Sequence, residues 1–157
     1  MKVSTSLLVL LLSSALLLTC KKEQSTAPVD TSPAQYAGVW TGTTDQSLPV
    51  YFRITQTGLV DSLTVRIMLY VGMSTCTGTF IKDSVSTVQS GAFVARATLP
   101  GSNVSTRVRV TLSSSSAANG TFDGYYGSFA IICGSSYMTG IGSIMGKTNW
   151  QATKTGQ

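Results

Sequence analysis

Leu63-Thr64-Val65-Arg66-Ile67-Met68-Leu69-Tyr70-Val71 sets an aliphatic side chain at every second position. Successive side chains of an extended chain point to opposite faces. The stretch therefore predicts a half-buried strand with Leu63, Val65, Ile67, Leu69 and Val71 toward a core and Arg66 toward solvent. The same period recurs on either side. Leu48 to Thr55 sends Val50, Phe52 and Ile54 one way and Tyr51, Arg53 and Thr55 the other, while Val104 to Leu112 turns Val104, Val108, Val110 and Leu112 inward and Arg107 and Arg109 outward. Further strands are expected at Tyr36 to Thr43, Cys76 to Ile81, Gly91 to Leu99, Thr121 to Cys133 with a bend at Gly124 or Gly127, and Thr148 to Thr153. Turns are expected at Gln56-Thr57-Gly58, Pro100-Gly101-Ser102-Asn103 and Asn119-Gly120. No helical period of useful length runs between residues 36 and 157. The expected fold is all-β, an antiparallel meander of about eight strands. A closed barrel is favoured over a sandwich, because closure removes both exposed edges. Closure would pair the strand of Trp40 with that of Trp150 and bring both indoles to the seam.

The N-terminal residues follow another logic. Met1-Lys2-Val3 leads into an apolar run that hydroxyl residues interrupt and that ends at Leu18. One positive charge ahead of a short apolar stretch reads as a secretory signal, and the stretch falls short of the ~20 residues that a membrane-spanning helix needs. The run closes on Leu17-Leu18-Thr19-Cys20 and passes straight into Lys21-Lys22-Glu23. Those four residues resemble the bacterial lipobox, with Thr19 where that motif usually has Ala, Gly or Ser. The resemblance implies cleavage before Cys20 and acylation of Cys20 with palmitate-like chains. On that reading residues 1–19 are a signal peptide, 20–35 a lipidated N-terminus and polar flexible stalk, and 36–157 one β domain. It also implies a bacterial envelope location, at the outer membrane on its periplasmic face or the cell surface. The lipid would be the membrane contact, each buried methylene contributing ~0.8 kcal/mol.

Assigning Cys20 to lipid leaves Cys76 and Cys133 as a pair in an oxidising compartment. Parity turns both inward, Cys76 with Phe80 and Cys133 with Ile131 and Phe129, and both sit at strand ends. A disulfide near one barrel mouth is expected, worth ~4 kcal/mol on the chain-entropy model, with two buried thiols as the alternative. Eleven basic residues less Lys2 leave ten against six acidic ones from Cys20 onward, a net charge of +4. These charges are spread out, whereas a nucleic-acid surface gathers them into a stripe, so no nucleic-acid partner is expected. The chain has no His and no CxxC, so neither a metal nor a cofactor is expected. The folded part offers Asp45, Asp61 and Asp83, expected in turns, and Asp123, expected at a bend. With no Glu or His there and no GxSxG, no enzyme is expected. Arg53, Arg66, Arg107 and Arg109 are placed on the outer face, solvated or against anionic lipid or cell-wall polymer. The segment Gly124 to Gly146, rich in Gly, aromatic and Met residues, is where function is expected. It could fold over a mouth, grip a partner, plug the barrel end or form an irregular strand.

Gly38-Val39-Trp40 and the aromatic last strand resemble the calycin group, which includes lipocalins and avidins. That resemblance implies an eight-stranded meander around a ligand cavity. Lys154 stands where that group carries Arg, and the further tryptophans with which avidins stack biotin are absent. Gly38, Trp40, Gly42, Cys76, Cys133 and Trp150 together are similar to small bacterial β domains that read Gly-x-Trp-x-Gly at the start, a likeness that implies no particular activity. Ser135-Ser136-Tyr137, Gly140-Ile141 and Lys147 resemble the inhibitory loop of membrane-bound lysozyme inhibitors. Three readings follow: an envelope lipoprotein that binds a protein or cell-wall partner, a carrier of a small apolar ligand, and an enzyme inhibitor. A carrier would need a hollow interior lined by Phe52, Ile67 and Val108.

Overall fold

The computed structural model describes residues 32–157, so the signal segment, Cys20 and the stalk as far as Thr31 lie outside the described residues. A 3₁₀ turn at Pro33–Tyr36 precedes β1 (Gly38–Thr44), β2 (Pro49–Ile54), β3 (Val60–Val71), β4 (Ser74–Lys82), β5 (Ala92–Thr98), β6 (Ser105–Leu112) and β7 (Ala117–Phe122). Next come β8 (Tyr125–Cys133), β9 (Ser136–Met145) and β10 (Thr148–Gly156). Eight strands close an antiparallel barrel in the order β1-β10-β7-β6-β5-β4-β3-β2, while β8 and β9 form a separate two-stranded sheet. The expected strand from Thr121 to Cys133 is thus two strands in different sheets, parting at Asp123-Gly124.

Inside, the aliphatic and aromatic residues of the period-two pattern form one core, with Phe52, Leu63, Val65, Ile67, Phe80, Val108 and Phe122 all buried. Phe52 lies near its centre. It stacks on Trp40 (centroids 5.4 Å apart) and meets Trp150 (5.9 Å) and Phe93 (5.7 Å) edge-on, while Phe80 meets Phe122 at 4.8 Å. The seam pairs β1 with β10 as expected, Trp40 opposite Lys154 and Thr44 opposite Trp150. The two indoles therefore occupy different levels of the seam, and each touches Phe52. Lys154 Nζ lies 5.8 Å from the Trp40 ring centroid and donates to the carbonyls of Gln35 and Ala37 (2.8 and 3.1 Å). The last strand thereby fastens the N-terminal turn to the first.

Asn119-Gly120 is not a turn but the middle of β7. The reversal between β6 and β7 occurs in the serine run Ser113 to Ser116, where Ser114 Oγ accepts from the N–H groups of Ser116 and Ala117. Glycine is required at position 120 for a tertiary reason. A Cβ there would fall 2.2 Å from Trp150 Cζ2 and 2.4 Å from the Arg109 carbonyl oxygen, so the indole lies on bare backbone. A Cβ on Gly42 would likewise fall 1.8 Å from the Gln151 carbonyl oxygen, which accounts for the second glycine of Gly-x-Trp-x-Gly.

Successive barrel strands reverse direction, so the two barrel ends differ. The 3₁₀ turn sits at the end that carries Gly58 and Gly91: a Cβ on Gly58 would fall 2.5 Å from Pro33 Cβ, and one on Gly91 would fall 3.1 Å from the Tyr36 hydroxyl. The β1–β2, β3–β4 and β5–β6 turns and the β8–β9 hairpin lie at the opposite end. There β3 and β4 outrun their neighbours. The β2–β3 ladder ends at Val50 opposite Val65, and the β4–β5 ladder comprises Ile81 opposite Thr98 and Lys82 opposite Ala97. Ile67–Val71 and Ser74–Gly78 pair with each other past the rim of those neighbours.

Candidate functional site

The overhanging part of β3 and β4 has an apolar inner face, and an apolar face needs cover. The β8–β9 hairpin provides it, with β9 packed on β3 and β8 on β4. Phe129, Ile131, Ile144 and Met145 are buried in the common core with Ile67, Leu69 and Val71, and Met138 and Tyr125 pack against it. Cys76 on β4 is disulfide-bonded to Cys133 at the end of β8, with Cα atoms 5.7 Å apart. Parity had turned both thiols inward from strand ends, and the bond joins the two hairpins there.

The opposite face of the hairpin is largely open to solvent. Tyr126 is 80% exposed, Ile132 60%, Tyr137 69% and Ile141 81%. Ser128, Ala130, Thr139 and Ser143 share that face by register. No Asp, Glu, Lys or Arg falls between Asp123 and Lys147. The result is a two-faced element, one face filling the barrel mouth and the other a surface of tyrosine, isoleucine and small hydroxyl residues. Such surfaces favour protein recognition, because tyrosine supplies large area with few rotamers and hydroxyls adapt their hydrogen bonds.

Two turn residues close the edges around this hairpin. Asn103, from the β5–β6 turn, donates from Nδ2 to the Ser128 carbonyl (3.2 Å) and accepts at Oδ1 from the Ala130 N–H (2.8 Å). Its carboxamide thus stands in for a neighbouring strand along β8. Gln46, from the β1–β2 turn, accepts from the Met68 N–H at 2.8 Å and closes the overhanging edge of β3. Neither role was legible in the sequence, where Asn103 reads as part of a turn and Gln46 carries no signal.

Of the four aspartates among the described residues, three form ion pairs and the fourth reaches a distant strand. Asp61 is on β3 and pairs with Arg53 (2.7 Å); Asp83 pairs with Arg96 (2.9 Å); Asp123 holds Arg109 (3.0 Å) and, more loosely, Arg107 (3.7 Å). Asp45 is the turn residue expected, although its carboxylate accepts from the distant Asn149 N–H (3.1 Å). Hydrogen bonds from Arg96 and then Thr98 hold the Asp83 carboxyl below its ordinary pKa. Arg53, Arg66, Arg107 and Arg109 are on the outer wall, Arg66 donating to Thr77 Oγ1 (2.9 Å). Asp61, Asp83 and Asp123 thus sit in separate surface ion pairs. Among the described residues, no cluster of three or more His, Cys, Asp or Glu could hold a metal ion.

Phe52, Ile67 and Val108, the residues a ligand cavity would need, are fully buried against their neighbours. The outer wall carries open concavities, one of about 410 Å³ lined by Thr43, Asp45, Asn119, Thr121, Asn149 and Gln151 and one of about 450 Å³ beside Val85, Thr87, Phe93 and Val94. No protein-family model, curated protein or solved structure matches the chain.

Proposed function

We propose that this chain is a non-catalytic envelope lipoprotein whose barrel displays the β8–β9 hairpin as a protein-interaction surface. One observation carries the reading. A hairpin without a single charged residue, pinned by a disulfide and filling the mouth with one face, leaves Tyr126, Ile132, Tyr137 and Ile141 in solvent on the other. Exposed large apolar side chains concentrated on one rigid element are a feature of interaction sites. The tether reading draws support from Leu17-Leu18-Thr19-Cys20 and from the Pro33–Tyr36 turn, which lies at the barrel end opposite the hairpin. A carrier of a small apolar ligand has less support, because aromatic rings occupy the space a ligand would need.

Two readouts in one strain test this. Acyl labelling should be strong in the wild type and vanish in Cys20→Ala. A photo-crosslinking residue in place of Ile141 should give discrete protein adducts in the envelope, and one in place of Thr153 on the barrel wall should not. Unlabelled wild-type protein removes the tether; equal adducts from both positions remove the hairpin surface.

A further inference from the structure

The register of the hairpin determines where its backbone groups point. In an antiparallel pair, residues alternate between those that exchange hydrogen bonds with the partner strand and those whose N–H and C=O point away from it. Ser128 C=O and Ala130 N–H are bonded by Asn103 and so point away from β9. Their partners across the ladder, Ile141 and Thr139, must then direct their own N–H and C=O away from β8. Tyr137, opposite Ile132, follows by the same alternation. The outer edge of β9 thus carries three donor–acceptor pairs at strand spacing, at Tyr137, Thr139 and Ile141. None has a backbone partner among the described residues. Thr139, Gly140 and Ile141 are all exposed, so solvent reaches this edge from both faces. Charged residues, proline or a covering loop usually guard an open edge. Here the edge of β8 has Asn103, and that of β9 has none of these among the described residues.

We propose that the occupant of this edge is β9 of a second copy, paired antiparallel about a two-fold axis at Thr139. The inference rests on the interaction reading above and names its partner. The sequence is its own complement in that register: Tyr137 falls opposite Ile141 of the other copy, Thr139 opposite Thr139, and Ile141 opposite Tyr137. Aromatic against β-branched and threonine against threonine are among the favourable cross-strand pairs, and each of the three positions exchanges two main-chain hydrogen bonds, about six in all. Charge favours the same contact. The chain is basic overall, and this uncharged hairpin lets two copies meet without opposing like charges. The two-fold makes the contact isologous and closed, a dimer rather than a fibre. The Pro33–Tyr36 turn lies at the other barrel end and does not cover this edge.

The test uses the chain from residue 20 with Cys20→Ser, followed by sedimentation and amide exchange as concentration rises. The wild type should pass from one to two copies, with the Tyr137, Thr139 and Ile141 amides gaining protection together. Thr139→Lys and Thr139→Glu each place like charges across the axis and should weaken association by roughly tenfold or more. Mixing the two should restore a dimer, which also shows that both variants fold. A wild type that stays monomeric to millimolar concentration overturns the proposal, even if a foreign strand protects the same amides. So does a dimer indifferent to Thr139. Acyl labelling and Ile141 adducts to other proteins would leave the interaction reading standing in either case.

Discussion

The barrel wall and the β8–β9 hairpin are built from the same local pattern and solve different problems. Every barrel strand has a neighbour on each side, an inner face in the core and an outer face where Arg53, Arg96, Arg107 and Arg109 meet Asp61, Asp83 and Asp123. The hairpin has one neighbour per strand, no charge, and an outer face of exposed tyrosine and isoleucine. A two-stranded sheet alone is marginal in water. This one persists because it borrows the core of β3 and β4 through Phe129 and Ile131, the Cys76–Cys133 bond and the Asn103 carboxamide. Dependence of that kind is asymmetric: losing the hairpin's supports should loosen the hairpin, and losing the barrel's core should unfold both.

Phe52→Ala is the strongest way to probe that asymmetry. It empties the space between Trp40, Phe93 and Trp150 and should cost about 3–5 kcal/mol, read as one cooperative shift of the urea midpoint for probes in both regions. Separate transitions would show two independent units. Cys133→Ser should cost less, about 2–4 kcal/mol, and the loss should be local. In hydrogen exchange the amides of β8 and β9 should lose protection while those at the β1–β10 seam keep theirs. Asn103→Ala should cost about 1–2 kcal/mol and speed exchange at Ala130 alone among the core-proximal amides; unchanged exchange there would deny Asn103 its part in closing the edge.

The smallest effect belongs to the wall's ion pairs. The Asp83 carboxyl is held below its ordinary pKa by its hydrogen bonds from Arg96 and Thr98, so the folded state takes up its proton less readily than the unfolded state. Its contribution is present above the ordinary carboxylate range and fades as pH falls through that range to the lowered folded value. Because the pair is exposed, the effect is modest. Asp83→Asn should therefore lower stability slightly near neutrality and converge with the wild type at low pH, flattening the acid limb of the curve, as thermal melts across pH would show.

The barrel was legible from Leu63 to Val71 onward because alternation is local. Each residue's face follows from its neighbour's, and Val50, Phe52, Ile54, Val108, Val110 and Leu112 lie buried where parity put them. Parity also turned both cysteines inward. The hairpin was less legible. Gly124 to Gly146 drew attention by composition, but its glycines blur the alternation, and nothing local marks the break at Asp123 as a change of sheet. Asn119-Gly120 misled for a related reason: the dipeptide that most often signals a turn is here a strand segment flattened to receive Trp150.

What the sequence determined by itself is the all-β class, the inward residues of β2, β3 and β6 and the inward parity of Cys76 and Cys133, since a period of two is a property of the extended chain wherever it lies. Only the tertiary structure decided which strands are neighbours, that one predicted strand is two, that aspartates read as turn residues pair with arginines on other strands, and that the outer edge of β9 is open. These depend on register between segments far apart in the chain, and a shift of one residue in that register would exchange every inward side chain for an outward one.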